Sequence, residues 1–166
     1  MSYSRLWVQF PEFAIKHQSL PQNPMSSSRD QLIEAIVTDF SSRHVPSARV
    51  FLPRRKADRV FLGELGIPEC DPATAPDVVI HDQERDWLFL FDAAGPCRRM
   101  DEARREKLAA QFTPCGKWLI FFSAFTNIDT YSRYGESIAW ETEVWIANEP
   151  GHMIHYNGRR FLGPYP

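Results

Sequence analysis

Trp87-Leu88-Phe89-Leu90-Phe91 is a run of five apolar residues with no polar residue between them. A strand with one wet face alternates apolar and polar side chains, so this run predicts a strand from Trp87 to Ala93 that is covered on both faces. A sheet containing such a strand needs helices above and below it. Lys117 to Ala124 is a second run of the same kind. With 166 residues, 43% hydrophobic and 24% charged, the chain is long enough for one domain around such a sheet and too apolar for a disordered one.

The rest of the chain supplies the layers. Residues 1–27, with Pro11, Pro21 and Pro24 and a polar stretch from Gln18 to Ser28, read as an amino-terminal arm, and residues 28–166 as the domain. Ser28-Arg29-Asp30-Gln31 has the form of a capping box, and Leu32, Ile33, Ile36, Val37 and Phe40 give the following helix an apolar stripe. That helix is expected to end near Arg43. Short strands are expected at Ala48 to Leu52 and Arg59 to Leu62, with Arg54-Arg55-Lys56 as a turn. Asp77 to His81 and Trp87 to Ala93 form the next pair, joined by the charged stretch from Asp82 to Asp86. A helix from Asp101 to Phe112 carries Ala103, Leu108 and Phe112 on its apolar side and Arg104, Arg105 and Lys107 on the other. The strand Lys117 to Ala124, a helix from Asn127 to Ser137, a long strand from Ala139 to Ala147 and an edge strand from Met153 to Tyr156 with a turn at Asn157-Gly158 complete the order. Helices placed after strands imply crossovers, hence an α/β fold with a central mixed β-sheet flanked by helices.

Charge and cysteine content exclude several functions. Lys and Arg total 19 against 21 Asp and Glu, a net charge of −2, so no overall positive field draws in nucleic acid or an anionic membrane. Contact with DNA has to be local. The basic residues are 15 arginines and 4 lysines, and the arginine fork suits phosphate oxygens and guanine edges. Cys70, Cys97 and Cys115 are odd in number and lack C-x-x-C spacing, which fits a reducing, cytoplasmic setting and no structural zinc. No stretch approaches the roughly 20 apolar residues of a membrane span.

The chemistry points to Asp77 and Asp92. The first begins one strand and the second ends the next, so a tight antiparallel hairpin brings both carboxylates to one edge of the sheet. Two such groups repel unless a cation lies between them, and Mg2+ takes hard oxygen ligands while keeping waters and phosphate oxygens in its shell. A metal so held activates water and stabilises charge on a phosphodiester. The sequence order, a helix with Glu34, then strands, Pro76-Asp77, a strand ending in a carboxylate and a basic helix, resembles the PD-(D/E)XK nuclease core.

A more specific resemblance lies in the carboxy-terminal third. Ile138-Ala139-Trp140-Glu141-Thr142-Glu143-Val144-Trp145-Ile146-Ala147, Glu149-Pro150, His152-Met153-Ile154-His155, Asn157-Gly158 and Arg160-Phe161-Leu162-Gly163-Pro164 resemble the signature of the BsuBI/PstI type II restriction endonucleases. Pro76-Asp77-Val78-Val79, Trp87-Leu88-Phe89-Leu90 and Ser123-Ala124-Phe125 match the same family in order and spacing. The resemblance implies a PD-(D/E)XK fold and Mg2+-dependent cleavage of double-stranded DNA at a short palindrome such as CTGCAG. It also implies a homodimer matched to a two-fold site and a cognate DNA methyltransferase. Asp77 and Asp92 then stand at the metal-ligand positions, and Glu34 falls where some enzymes of this fold place a further helix carboxylate.

Three departures accompany the match. Ala94 stands where a motif lysine is expected, which makes Arg104, Lys107 and Lys117 candidates for its role. Asp92 replaces the family's usual glutamate, and the loop Gly95-Pro96-Cys97-Arg98-Arg99 lacks its usual serine, histidine and glycine pattern. A carboxylate shorter by one methylene shifts a metal by about 1 Å, a displacement that costs about 10²-fold in rate. The family's full-length enzymes also carry a helical amino-terminal domain that this sequence lacks. These departures support a rival reading, a DNA-binding or interaction module that keeps the nuclease fold without catalysis.

Glu141 and Glu143 alternate with Trp140, Thr142 and Val144, so on one strand they share a face, as supports for the metal or as salt-bridge partners. His152 and His155 point to opposite faces of an extended segment and do not form a metal pair there. Arg98-Arg99 and Arg159-Arg160 are candidate phosphate clamps.

Overall fold

The computed structural model of the chain describes residues 27–69, 71–96 and 98–158. All of the amino-terminal arm but Ser27 lies outside them, as does Arg159-Arg160. Chain order gives α1 (Ser28–Ala35), a π-helical turn (Ile36–Phe40), α2 (Ser41–His44), β1 (Arg49–Phe51), α3 (Lys56–Glu64), β2 (Val78–Asp82) and β3 (Trp87–Ala93). Then follow α4 (Glu102–Phe112), β4 (Trp118–Phe125), α5 (Ile128–Tyr134), β5 (Thr142–Ile146) and β6 (Met153–Tyr156).

The six strands form one mixed sheet in sequence order. β1, β2 and β3 pair antiparallel, β3, β4 and β5 parallel through the α4 and α5 crossovers, and β6 returns antiparallel against β5. β3 and β4 are buried on both faces, as their unbroken apolar runs require. On one face Ile80, Phe89, Phe91, Phe122 and Trp145 pack against Leu32, Ile33, Ile36 and Phe40 of the first helical segment. The opposite face sets Val79, Leu88, Leu90, Leu119 and Phe121 against Leu62, Leu108 and Phe112. Each fully buried Leu or Phe contributes about 1.5–3 kcal/mol, and these two layers fix the sheet as the rigid frame of the site.

The helix starts follow from local chemistry. The Ser27 hydroxyl, one residue before the predicted cap, accepts the Asp30 N–H at 3.2 Å. Asp101 and Asn127, where the sequence places the starts of two helices, each cap one by accepting the N–H three residues on at 2.9 Å. The last turn of the predicted Asn127–Ser137 helix tightens to a 3-10 turn at Gly135–Ser137.

Two expected strands are corrected. Arg59–Leu62 is helical, inside α3, whose first turn closes through Arg59 N–H to Arg55 O at 3.2 Å while the Asp58 carboxylate accepts the Leu52 N–H at 2.8 Å and ties the preceding loop to it. At the other end Ile67 N–H donates to Leu62 O across Gly66, whose φ of 79° a glycine adopts without strain. The expected strand Ala139–Ala147 shrinks to Thr142–Ile146 because Glu141 adopts a left-handed φ of 62°. That kink turns Trp140 out to solvent, 64% exposed, and separates Glu141 from the strand that holds Glu143. The two glutamates therefore do not share a strand face. Ala103, expected on the apolar side of α4, is exposed. Among the described residues no helix is long and apolar enough to cross a membrane.

Candidate functional site

The β2–β3 hairpin carries the two aspartates together. Its register pairs Val78 with Phe91, and the Asp77 N–H continues the ladder to Phe91 O at 2.7 Å, which leaves Asp77 facing Asp92. Both side chains are buried, Asp77 at 1% and Asp92 at 0% exposure. Asp92 sits beside Ser123 of β4, at the carboxyl ends of two parallel strands where α/β sheets commonly place their sites.

Each carboxylate is fully partnered. The Ala93 N–H donates to Asp77 Oδ2 at 2.9 Å, and Arg29 of α1 binds Asp77 Oδ1. Arg104 grips Asp92 with both prongs, Nε to Oδ2 at 2.7 Å and Nη2 to Oδ1 at 2.9 Å. Its Nη1 donates to Thr74 O at 2.6 Å and its Nη2 to Ala75 O at 3.2 Å, which ties α4 to the segment leading into β2. Arg98 lies within ion-pair distance of both aspartates. Three guanidinium groups thus surround two carboxylates, one positive charge in excess, which suits an anionic ligand. A cleft of about 440 Å3 opens beside them, lined by Arg29, Ala93, Ala94, Arg98 and Asn127.

The donor chemistry here, two carboxylates, fits a hard divalent cation. Two hard carboxylates stand side by side, and one guanidinium already spans the distance between them. Among the described residues no group of three or more His, Cys, Asp and Glu comes together, so Asp77 and Asp92 are the carboxylates that would hold a cation here.

The other predicted residues divide sharply. Of the three candidates for the lysine's place, Arg104 alone meets Asp92; Lys107 is exposed, and Lys117 pairs with Asp86 at 2.6 Å by the opposite ends of β3 and β4. Glu34 is exposed, and α1 sends Arg29 to Asp77 in its stead. Arg29 was invisible in the sequence because it reads as an inner member of a capping box. Of the predicted Arg98-Arg99 clamp only Arg98 faces the carboxylates. Arg99 binds Ser137 Oγ and lies 5.6 Å from the Tyr134 ring centroid.

Ala94 explains the absent lysine. It packs with Phe125, Ile138, Val144 and Ile146 and borders the cleft beside Arg29 and Arg98, where an ammonium would meet two guanidinium charges. Ala94→Lys is expected to destabilise the fold by about 1–3 kcal/mol, with no gain in nuclease rate. A urea melt and a cleavage assay on the same sample check this, and a faster enzyme would contradict it.

Glu143 and His155 face each other across β5 and β6 and share a hydrogen bond, at an apolar cavity walled by Phe40, Trp87, Phe89 and Phe122 that touches neither aspartate. His152 is exposed, so the two histidines do not converge. Burial pushes the Glu143 carboxyl above its usual value of 4.5, while His155 pulls it down less strongly. A carboxyl harder to ionise in the folded chain contributes stability that is full below its unfolded value and is lost as pH rises through the folded one. The melting temperature of Glu143→Gln should therefore gain on that of the wild type over the interval in which pH rises above the carboxyl's usual value of 4.5. A difference that stays constant over that interval contradicts the burial effect.

A family model described as the BsuBI/PstI restriction endonuclease domain matches residues 15–159. The type II restriction enzyme BsuBI of Bacillus subtilis is 37% identical to this chain over 141 residues, covering 81% of it and 45% of that enzyme. The type II restriction enzyme AplI of Arthrospira platensis is 31% identical over 87 residues, 52% of this chain and 27% of the relative. The solved structure of SdaI restriction endonuclease superposes with a TM-score of 0.69 at 35% identity, covering 84% of this chain and 46% of that one. The chain spans no more than about half the length of these relatives.

Proposed function

This chain belongs to the BsuBI/PstI restriction endonuclease domain family, and from that premise we propose that it is a Mg2+-dependent endonuclease hydrolysing phosphodiester bonds of double-stranded DNA. The observation that carries this reading is the pair of buried carboxylates, Asp77 and Asp92, held together at the end of the sheet where β3 and β4 terminate. Asp77 and Asp92 would hold the metal, which when bound supplies an acidified water and charge stabilisation at the phosphate. The protein's own part is positional and electrostatic. Arg104 fixes the rotamer of Asp92 through its two-pronged grip. Arg29, 42% exposed, stands at the cleft with donors free to turn toward a phosphate oxygen. Ala93 N–H holds Asp77 by its far oxygen.

A short palindrome of the CTGCAG kind is the proposed site. It pairs naturally with a homodimer, since a two-fold target is matched by a two-fold protein, and with a methyltransferase that protects the host's own copies.

Purified chain incubated with plasmid and long linear duplex DNA in Mg2+ or Mn2+, with a chelator control, tests the reading. Discrete fragments that vanish with chelator are expected, and sequencing their ends gives the site. A folded chain that binds duplex and leaves it intact in both metals overturns the assignment and leaves the non-catalytic module.

A further inference from the structure

Arg98 occupies a place unlike that of the other arginines at this site. Its Nη1 lies 3.5 Å from Asp77 Oδ1 and its Nε 3.4 Å from Asp92 Oδ1, so among the described residues it alone bridges the two carboxylates. Arg29 meets only Asp77, and Arg104 meets only Asp92. The bridging contacts are also long. Arg104 reaches Asp92 at 2.7 and 2.9 Å, the range of charge-assisted hydrogen bonds, whereas Arg98 stands at ion-pair distance and spends its shortest hydrogen bond, 2.7 Å, on Ala75 O. Its charge lies between the aspartates without a tight grip on either.

The side chain belongs to a short loop closed by an isolated bridge, in which Gly95 N–H donates to Arg98 O at 2.7 Å. Arg98 also lines the cleft beside Arg29, and it is 18% exposed. A rotation about its own side-chain bonds would carry the guanidinium from the carboxylates into that cleft.

Resting on the reading of Asp77 and Asp92 as metal ligands, we propose that Arg98 is a displaceable counter-ion that competes with the divalent cation for the gap between them. A dication added beside three guanidinium groups would meet strong repulsion, and moving Arg98 out relieves it. In the cleft the released guanidinium meets a DNA phosphate, so duplex binding and metal binding favour each other through one side chain. This coupling is reciprocal: DNA raises metal affinity by the factor by which metal raises DNA affinity.

The test is Mn2+ binding to the full chain, followed by electron paramagnetic resonance, for wild type, Arg98→Gln, Arg98→Lys and Asp77→Asn. Arg98→Gln, which keeps amide donors for Ala75 O, is expected to bind Mn2+ about tenfold more tightly, within the range of ordinary ligand couplings. Arg98→Lys keeps the charge and should stay near wild type. A merely structural arginine would instead lose affinity in both variants. With Ca2+ as a probe, an uncleaved duplex should tighten ion binding to wild type and lose that effect in Arg98→Gln.

Unchanged or weaker Mn2+ binding in Arg98→Gln, with Asp77→Asn abolishing it, overturns the counter-ion and spares the metal assignment. No saturable Mn2+ binding by folded wild type, or binding undiminished in Asp77→Asn, overturns both. In the wild-type chain itself, the Arg98 Nε–H resonance should move on titration with Mg2+ as its contact with Asp92 Oδ1 is released. An Arg98 resonance unmoved at saturating Mg2+ overturns the proposal even if the glutamine variant fails to fold.

Discussion

Asp77→Asn is expected to yield a folded chain whose DNA cleavage falls by about 10²–10³-fold or more, the scale on which preorganised charge groups act in catalysis. The substitution keeps the shape of the side chain and an oxygen for the Ala93 N–H, but removes the negative charge that a dication needs. The structural cost is small because Arg29, 42% exposed, returns its guanidinium to water, and Arg98 keeps its bonds to Ala73 O and Ala75 O. Stability should drop by about 1 kcal/mol. Nicking rates of supercoiled plasmid at saturating Mg2+, measured beside a thermal melt, separate the two effects. A variant that cuts at the wild-type rate removes Asp77 from the metal site.

Arg104→Ala should do the reverse and strike the fold first. Arg104 is 13% exposed and Asp92 fully buried, so the truncation strips both close hydrogen bonds from a buried charge, leaves it only the longer contact to Arg98, and frees the Thr74 carbonyl. Breaking a buried pair by removing one partner costs about 3–5 kcal/mol. For a chain of this size that corresponds to a fall in melting temperature of roughly 6–20 °C. Arg104→Lys should recover only part of it, since one ammonium cannot supply the parallel bonds to both Asp92 oxygens. Adding Asp92→Ala to Arg104→Ala should restore stability relative to the single arginine variant, because the stranded charge is gone. A double variant less stable than Arg104→Ala by the full cost of the second truncation would show that the pair does not act as a unit.

The sheet was legible where one force dominated. Unbroken apolar runs have one low-energy fate in a domain of this size, and Trp87–Phe91 and the strand from Trp118 onward took it. The hairpin that unites Asp77 and Asp92 followed from strand lengths alone. Elements decided by local conformation were harder to read. Arg59-Val60-Phe61-Leu62 suits either a strand or a helix, and Asp58 and Gly66, which fix α3, lie outside the apolar stretch. Glu141 gives no warning of its left-handed backbone, so β5 looked three residues too long at its start. Charge was the least readable property. Arg104 belongs by spacing to the polar side of α4, and only the docking of that helix, with Met100 N–H on Ser123 Oγ at 2.9 Å, turns it toward Asp92.

The π turn at Ile36–Phe40 gives the first helical segment a seam. Ser41 N–H reaches back five residues to Ile36 O, the signature of one residue more than an α-helix would hold. Each residue rotates a helix by about 100°, so that extra residue changes which side chains the following turn aims inward. Phe40, whose ring meets those of Phe89, Phe91, Phe122 and Trp145, owes its direction to this insertion. Deleting a single residue between Ala35 and Ser41 would mend the hydrogen-bond ladder and improve the helix as a helix. It would also swing Phe40 off four aromatic rings, so the locally better helix would be the worse protein.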